Sequence, residues 1–268
     1  MTVLVRQQWR DRRTAFVGWL AGWMVLVGMY VATWPTVRAH ARQYDDILAG
    51  LPKAMRSAIG ASGSGAFSSP GGYLTAELLG VTGPLVAVTM GVLLGVGCLA
   101  RDEEDGTLEL LLAQPVSRVR LLLSRTAAGL LEIVAVLLLA SVTLWLLGRA
   151  VGLGVGLAAS ARALLMLALL SAEGLALSIL FGAVLGRAVR ARALAGAVGL
   201  VAFLLAALGP SIDGLHGAVR LSPFHTLVAS DPFRQAPGVL SVAALALPTA
   251  VMVVAAVLAF RRRDLRLR

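Results

Sequence analysis

Three observations on this 268-residue chain predict an all-α, polytopic membrane fold: six spanning helices in one bundle, led by an amphipathic helix at the amino end. Hydrophobic residues make up 58% of the chain and charged residues 14%, whereas a soluble domain carries about a quarter charged residues. The mean hydropathy is +0.85. The apolar residues gather in six runs, at residues 16–34, 78–100, 127–147, 163–185, 193–208 and 239–260, near the length of about 20 residues that a helix needs to cross the hydrocarbon core. A water-soluble globular protein is excluded, and residues 1–268 read as a single transmembrane domain.

Taken in order, residues 1–15 mix Val3, Leu4 and Trp9 with Arg6, Arg10, Arg12 and Arg13. This suits an amphipathic helix on the membrane surface with its arginines toward anionic headgroups; a plain basic anchor fits the same residues. The first span is too long for a signal-peptide core and ends in Trp34-Pro35 rather than at a small-residue cleavage site, so it is read as a permanent span. Residues 37–75 form the one long loop. In it Tyr44, Ile47, Leu48, Leu51, Met55 and Ile59 recur at helical spacing, Pro52 suits the first turn of a second helical piece, and residues 60–72 are a flexible Gly/Ser-rich return. A pair of short helices capping the bundle and a merely interfacial helix both satisfy this pattern.

Residues 101–125 hold Asp102, Glu103, Glu104, Asp105 and Glu109, five of the fourteen acidic residues. Gly106 breaks the second span's helix, Thr107 caps a new one, and Leu108, Leu111 and Leu112 give it an apolar face. Pro115 then opens a further short helix carrying Val116, Val119 and Leu122 beside Arg118 and Arg120. A charged helical hairpin pressed on the membrane is suited to docking a soluble partner; a solvated charge run is the plainer reading. The fifth span is short and closed by Pro210. Residues 211–237, with Pro223, Pro232, Pro237, His216 and His225, form either a re-entrant structure or a surface loop.

The net charge of +10 comes almost wholly from arginine, since Lys53 is the only lysine. With the amino terminus placed in the cytoplasm, sixteen basic residues fall inside and eight outside, and both termini lie inside. Nucleic-acid binding is set aside for want of long basic runs or aromatic RNA-binding signatures. Cys98 has no partner in the chain, so no intrachain disulfide forms. Gly18 with Gly22, Gly91 with Gly95 and Gly182 with Gly186 are small residues four apart, which lets helices approach closely. Two carboxylates fall inside the spans, Glu132 and Glu173. Such groups face a bundle interior or water, and Glu173 reads either as part of a substrate pathway or as a protonated, hydrogen-bonded structural group.

The run from Glu103 through Gly106-Thr107-Leu108-Glu109, the leucines, and Pro115-Val116-Ser117-Arg118 closely resembles the signature of type 2 ABC exporter permeases. The resemblance is specific over about sixteen residues and loose over the whole chain. It implies a cytoplasmic coupling helix between the second and third spans, with Glu103, Glu104, Gly106, Thr107, Leu108, Glu109, Leu111, Leu112, Pro115 and Arg118 contacting a separate ATP-binding subunit. It further implies a second permease, either another copy or a similar chain, and an efflux role; the richness in Ala, Gly, Leu, Val and Arg suggests a high-GC genome and fits a bacterial inner membrane. No Walker-type G-x-x-x-x-G-K-[ST] loop occurs here. ATP and Mg are therefore expected on the partner, with no catalytic residue, cofactor site or metal site on this chain. Drugs, antibiotics and lipids are the substrates the family suggests, so a hydrophobic or amphipathic substrate is expected. Two rivals are a membrane-embedded transferase using the acidic cluster 102–105, which lacks a second acidic cluster, and a proton-coupled secondary transporter using Glu132 or Glu173, which lacks inverted-repeat signs.

Overall fold

The computed structural model describes residues 2–52, 55–56, 67–100, 117–212 and 214–262, with backbone alone for residues 2–12. Among the described residues every regular element is helical, and six helical stretches are long and apolar enough to cross a membrane. The first, α1 (Thr2–Ala39), buries Trp23, Val27, Tyr30, Val31 and Trp34, a stripe at three- and four-residue spacing that faces the bundle. No Pro or Gly interrupts residues 2–17. The expected surface helix at 1–15 is accordingly not a separate element: its backbone runs without a break into the span. Pro35 does not end α1 either; it removes one donor near the last turn while the helix continues to Ala39.

A single turn residue, His40, joins α1 to α2 (Ala41–Gly50). The chain then re-enters at α3 (Pro70–Leu74), which passes through a π-helical stretch (Thr75–Thr82) into α4 (Gly83–Val96). The second span thus starts at Pro70, well before residue 78, and the Gly/Ser-rich return ends before it. Ser69 accepts from the Gly72 N–H at 3.2 Å and Pro70 takes the first helical position, so an N-cap followed by proline turns Gly71 and Gly72 into helix. At its other end the helix stops at Val96, and residues 97–99 form a turn rather than the span's last residues.

The remaining spans are α5 (Arg118–Ala150), α6 (Leu157–Leu185), α7 (Ala188–Leu208) and, after two short helices α8 (His216–Val219) and α9 (Pro223–Ala229), α10 (Val239–Arg262). Gly186, at φ 62°, ends α6 in the left-handed conformation and permits a two-residue link to α7. The segment 211–237 is therefore partly helical, with Phe224 and Leu227 buried and the Ser222 hydroxyl donating to the Ala202 carbonyl of α7 at 2.8 Å. Burial, with the Arg220 charge as a lesser cause, holds the His225 pKa below the usual imidazole value.

Helix α6 is the most buried of the six and packs against α4, α5, α7 and α10. Its contact with α4 is backbone on backbone. A Cβ on Gly91 would lie 1.9 Å from the Ser171 carbonyl oxygen, and one on Gly95 would lie 2.4 Å from that of Leu175. Small residues at this crossing replace side-chain interdigitation by direct van der Waals contact, the usual source of helix association in lipid.

Candidate functional site

Residues 101–116 lie outside the described residues, and with them Glu103, Glu104, Gly106, Thr107, Leu108, Glu109, Leu111, Leu112 and Pro115. The two banks that hold this segment are described. On the first bank, after α4, the Cys98 N–H donates to the Gly95 carbonyl at 3.0 Å, and Cys98, Leu99 and Ala100 are buried. Ala100 sits against Gly182 of α6, whose added Cβ would meet the alanine's at 3.2 Å. Val96 and Ala100 form a small apolar cluster with Ala188 and Ala191 of α7.

On the second bank, Ser117 adopts the extended conformation of an N-cap and its hydroxyl accepts from the Arg120 N–H at 3.2 Å. Arg118, the first residue of α5, stacks over the ring of Phe260 in the last turns of α10 at 6.0 Å. Leu122 is buried one turn on, and Arg125 is also buried. Its Nη1 donates to the Cys98 carbonyl at 3.4 Å, and the Cys98 thiol donates to the Arg125 carbonyl at 3.4 Å. These reciprocal bonds tie the end of α4 to the start of α5. A guanidinium withdrawn from water is costly unless its donors find acceptors, and the Cys98 carbonyl, freed by the turn after α4, is one.

Arg125 and Phe260 are additions that the sequence did not single out. Arg125 reads there as one more topology-setting arginine just before the apolar run 127–147, and the sequence does not show that it lies two turns inside the helix that begins at Arg118.

Glu132 lies on α5 and Glu173 on α6, both half-buried. A Cβ on Gly129 would reach Leu175 at 2.7 Å, which registers the two antiparallel helices against each other. At about 1.5 Å per residue, the two carboxylates sit at nearly one depth, each within a turn of that contact. The Glu173 Oε1 atom is buried with no hydrogen-bond partner among the described residues.

At the opposite end of the bundle an aromatic chain runs from Tyr44 of α2 through Phe67 and Tyr73 to Trp34 of α1, with centroids 5.3–6.0 Å apart. The Tyr73 hydroxyl donates to the Tyr30 carbonyl at 2.8 Å, and Asp45 accepts from the Phe67 N–H at 3.0 Å and from the Ser68 hydroxyl. Thr75 donates to Asp231 at 3.0 Å, and Arg234 reaches Ser69 at 2.6 Å, so the start of the second span is held both to α1–α2 and to the turn after α9.

The sequence matches the family described as ABC-2 family transporter protein over residues 2–265. No curated protein matches the chain.

Proposed function

The chain belongs to the ABC-2 family of transporter proteins, as a membrane-spanning subunit, and on that premise we propose that it is the permease of an ATP-driven exporter. In this reading a separate ATP-binding subunit docks on residues 101–125 and switches the bundle between inward- and outward-facing states. Glu103, Glu104 and Glu109 pair with basic groups of that subunit, Leu108, Leu111 and Leu112 fill its groove, and Gly106, Thr107 and Pro115 shape the turns between them. ATP and Mg are bound by the partner, and a second permease completes the assembly. Both termini and the docking segment lie in the cytoplasm of a cell whose inner membrane holds the chain. The substrate is hydrophobic or amphipathic, and Glu132 and Glu173 provide polar points at one depth along its path.

The observation that carries this reading is the clamp at the two banks. Transmission of a motor's movement requires a rigid element continuous with spanning helices. The Arg125–Cys98 pair of bonds and the Arg118–Phe260 stack support such a role, because they leave little free chain between the docking segment and α4, α5 and α10.

The test is co-purification of the chain with the ATP-binding protein encoded beside it, with ATP hydrolysis measured on the complex. Triple charge reversal (E103K, E104K, E109K) is expected to cut association or substrate-stimulated hydrolysis at least tenfold while the melting temperature of the isolated chain is unchanged. Unaltered association and transport in that variant would overturn the docking role.

A further inference from the structure

The second span is not wound the same way throughout. Between α3 and α4 the eight residues Thr75–Thr82 are π-helical, and the Gly83 N–H that closes the stretch donates to the Leu78 carbonyl five residues back. Such winding is rare, is mostly confined to a single turn, and gathers at functional sites. Its cause here is local. Wound as an α-helix, the Gly80 carbonyl would face Pro84, whose ring clashes with the carbonyl four residues before it and has no N–H to give. The wider π turn takes that carbonyl off the ring. It sets a steric condition of its own: a Cβ on Gly83 would lie 2.1 Å from the Leu78 carbonyl oxygen. Neither winding is free of cost, since Pro84 opposes the α form and the geometry that makes π-helices rare opposes the π form.

The two ends of the span decide between them. Toward α6 the span is fixed by backbone contact: Cβ atoms on Gly91 and Gly95 would meet the Ser171 and Leu175 carbonyl oxygens, and one on Gly174 would lie 2.8 Å from that of Val88. At the end bearing α2 it is fixed by side chains. The Tyr73 hydroxyl bonds the Tyr30 carbonyl and, at 2.7 Å, the Thr33 hydroxyl. The Thr75 hydroxyl donates to Asp231, and Arg234 of the same turn reaches Ser69, the N-cap of α3. Asp231 makes its bond at φ 41°, the one non-glycine residue with a positive φ among the described residues, a conformation uncommon for any side chain. An α-helix rises about 1.5 Å per residue, and a π turn, which holds more residues, advances less with each. The α form is therefore the longer, and it cannot form while both ends are held. The ties to Ser69 give way first, because the Arg234–Ser69 bond is exposed and water replaces it.

We propose that residues 75–82 are a two-state segment, π-helical while α3 is tied to the turn after α9 and α-helical once those ties open, so that the second span lengthens and α3 moves relative to α9. Packed bundles switch between discrete arrangements rather than deforming continuously, and the opposed costs bring two such arrangements close in free energy. In the exporter reading, on which this use of the segment rests, the rewinding opens the end of the bundle that bears α2. The two-state property itself belongs to the chain alone.

The test is hydrogen–deuterium exchange of the full chain in a neutral detergent, read by mass spectrometry over residues 75–83, with residues 87–95 of α4 as the internal reference; exchange reports local opening. G83A/P84A removes the obstacle to the α form and adds one to the π form. Expected is exchange at least tenfold slower over 75–83 and faster over 70–74, with 87–95 unchanged. T75V/R234A cuts two ties and leaves the cost of each winding as it is. It is expected to slow 75–83 as well, whereas residues that only brace the helix would speed exchange when lost. T143V, whose hydroxyl bonds its own helix at Leu139, is expected to match the wild type. Should G83A/P84A fail to fold, Pro84→Ala alone is expected to slow 75–83 severalfold. Unchanged exchange over 75–83 in the proline variants, unchanged or faster exchange there in T75V/R234A, or an equal slowing in T143V would overturn the two-state segment. No motor enters the measurement, so its failure is distinct from a failure of the co-purification that tests the exporter reading.

Discussion

A buried arginine is expensive, and Arg125 shows how its position resolves that cost. Two turns inside α5, its guanidinium meets a carbonyl that the helix break after Val96 has released. Hydrogen bonds made by charged groups contribute about 1.5–3 kcal/mol. Arg125→Met, of similar length and fully apolar, is therefore expected to lower the chain's unfolding free energy by about that amount. It should also reduce substrate-stimulated ATP hydrolysis of the assembled complex more than basal hydrolysis, because the α4–α5 tie is loosened while the glutamates and leucines of residues 103–112 proposed to meet the motor are unchanged and Arg125 itself is buried. Thermal melting of the chain and paired hydrolysis assays check the two halves; equal loss of basal and stimulated rates would count against a transmitting role. The sequence hid this residue because its charge sorts with the other arginines by sign, while its role depends on which carbonyl faces it.

At the scale of elements, the small-residue spacings show what a pattern carries and where it stops. Gly18 with Gly22 and Gly91 with Gly95 are the same motif on paper, yet Gly18 and Gly22 have no neighbour within 4 Å of an added Cβ, whereas Gly91 meets the Ser171 carbonyl. Gly91→Ala is expected to destabilise by about 1–3 kcal/mol, the cost of overpacking, while Gly18→Ala is neutral or slightly stabilising through its higher helix propensity. Comparative melting of the two variants decides, and equal effects would show that the α4–α6 crossing is looser than the contact implies. The six apolar runs were legible because length and hydropathy are local properties. Their ends were not: Ser69-Pro70 started a helix inside a stretch that composition marks as flexible, and the absence of a breaker in residues 2–17 fused the amphipathic segment to the span. The family was legible through the Gly-Thr-Leu-Glu run, whereas the anchorage of the chain on either side of residues 101–116 depends on partners from α6, α7 and α10, far apart in sequence.

At the scale of the whole molecule, the charge distribution and the geometry bear on one another. Counted on the sequence with the amino terminus inside, sixteen basic residues fall on the cytoplasmic side and eight on the other. Several of those eight are held by the fold: Arg149 stacks on Trp145 at 5.3 Å, Arg162 donates to the Pro232 carbonyl at 3.4 Å, and Arg234 pairs with Asp231 and Ser69. Arg118 and Arg125 on the other side are held as well, by Phe260 and by the Cys98 carbonyl, so local pairing occurs at both ends and the count of sixteen against eight carries the asymmetry. The expected topology therefore has the end bearing α2 outside. In a Cys98→Ser background, cysteines introduced at the exposed positions Asp46 and Ala236 should react with a membrane-impermeant maleimide in intact cells. Cysteines at Arg192 and Arg262 should react only after the membrane is opened. Labelling in the reverse order would invert the bundle, place residues 101–116 away from any cytoplasmic motor, and remove the basis for ATP-driven coupling through them.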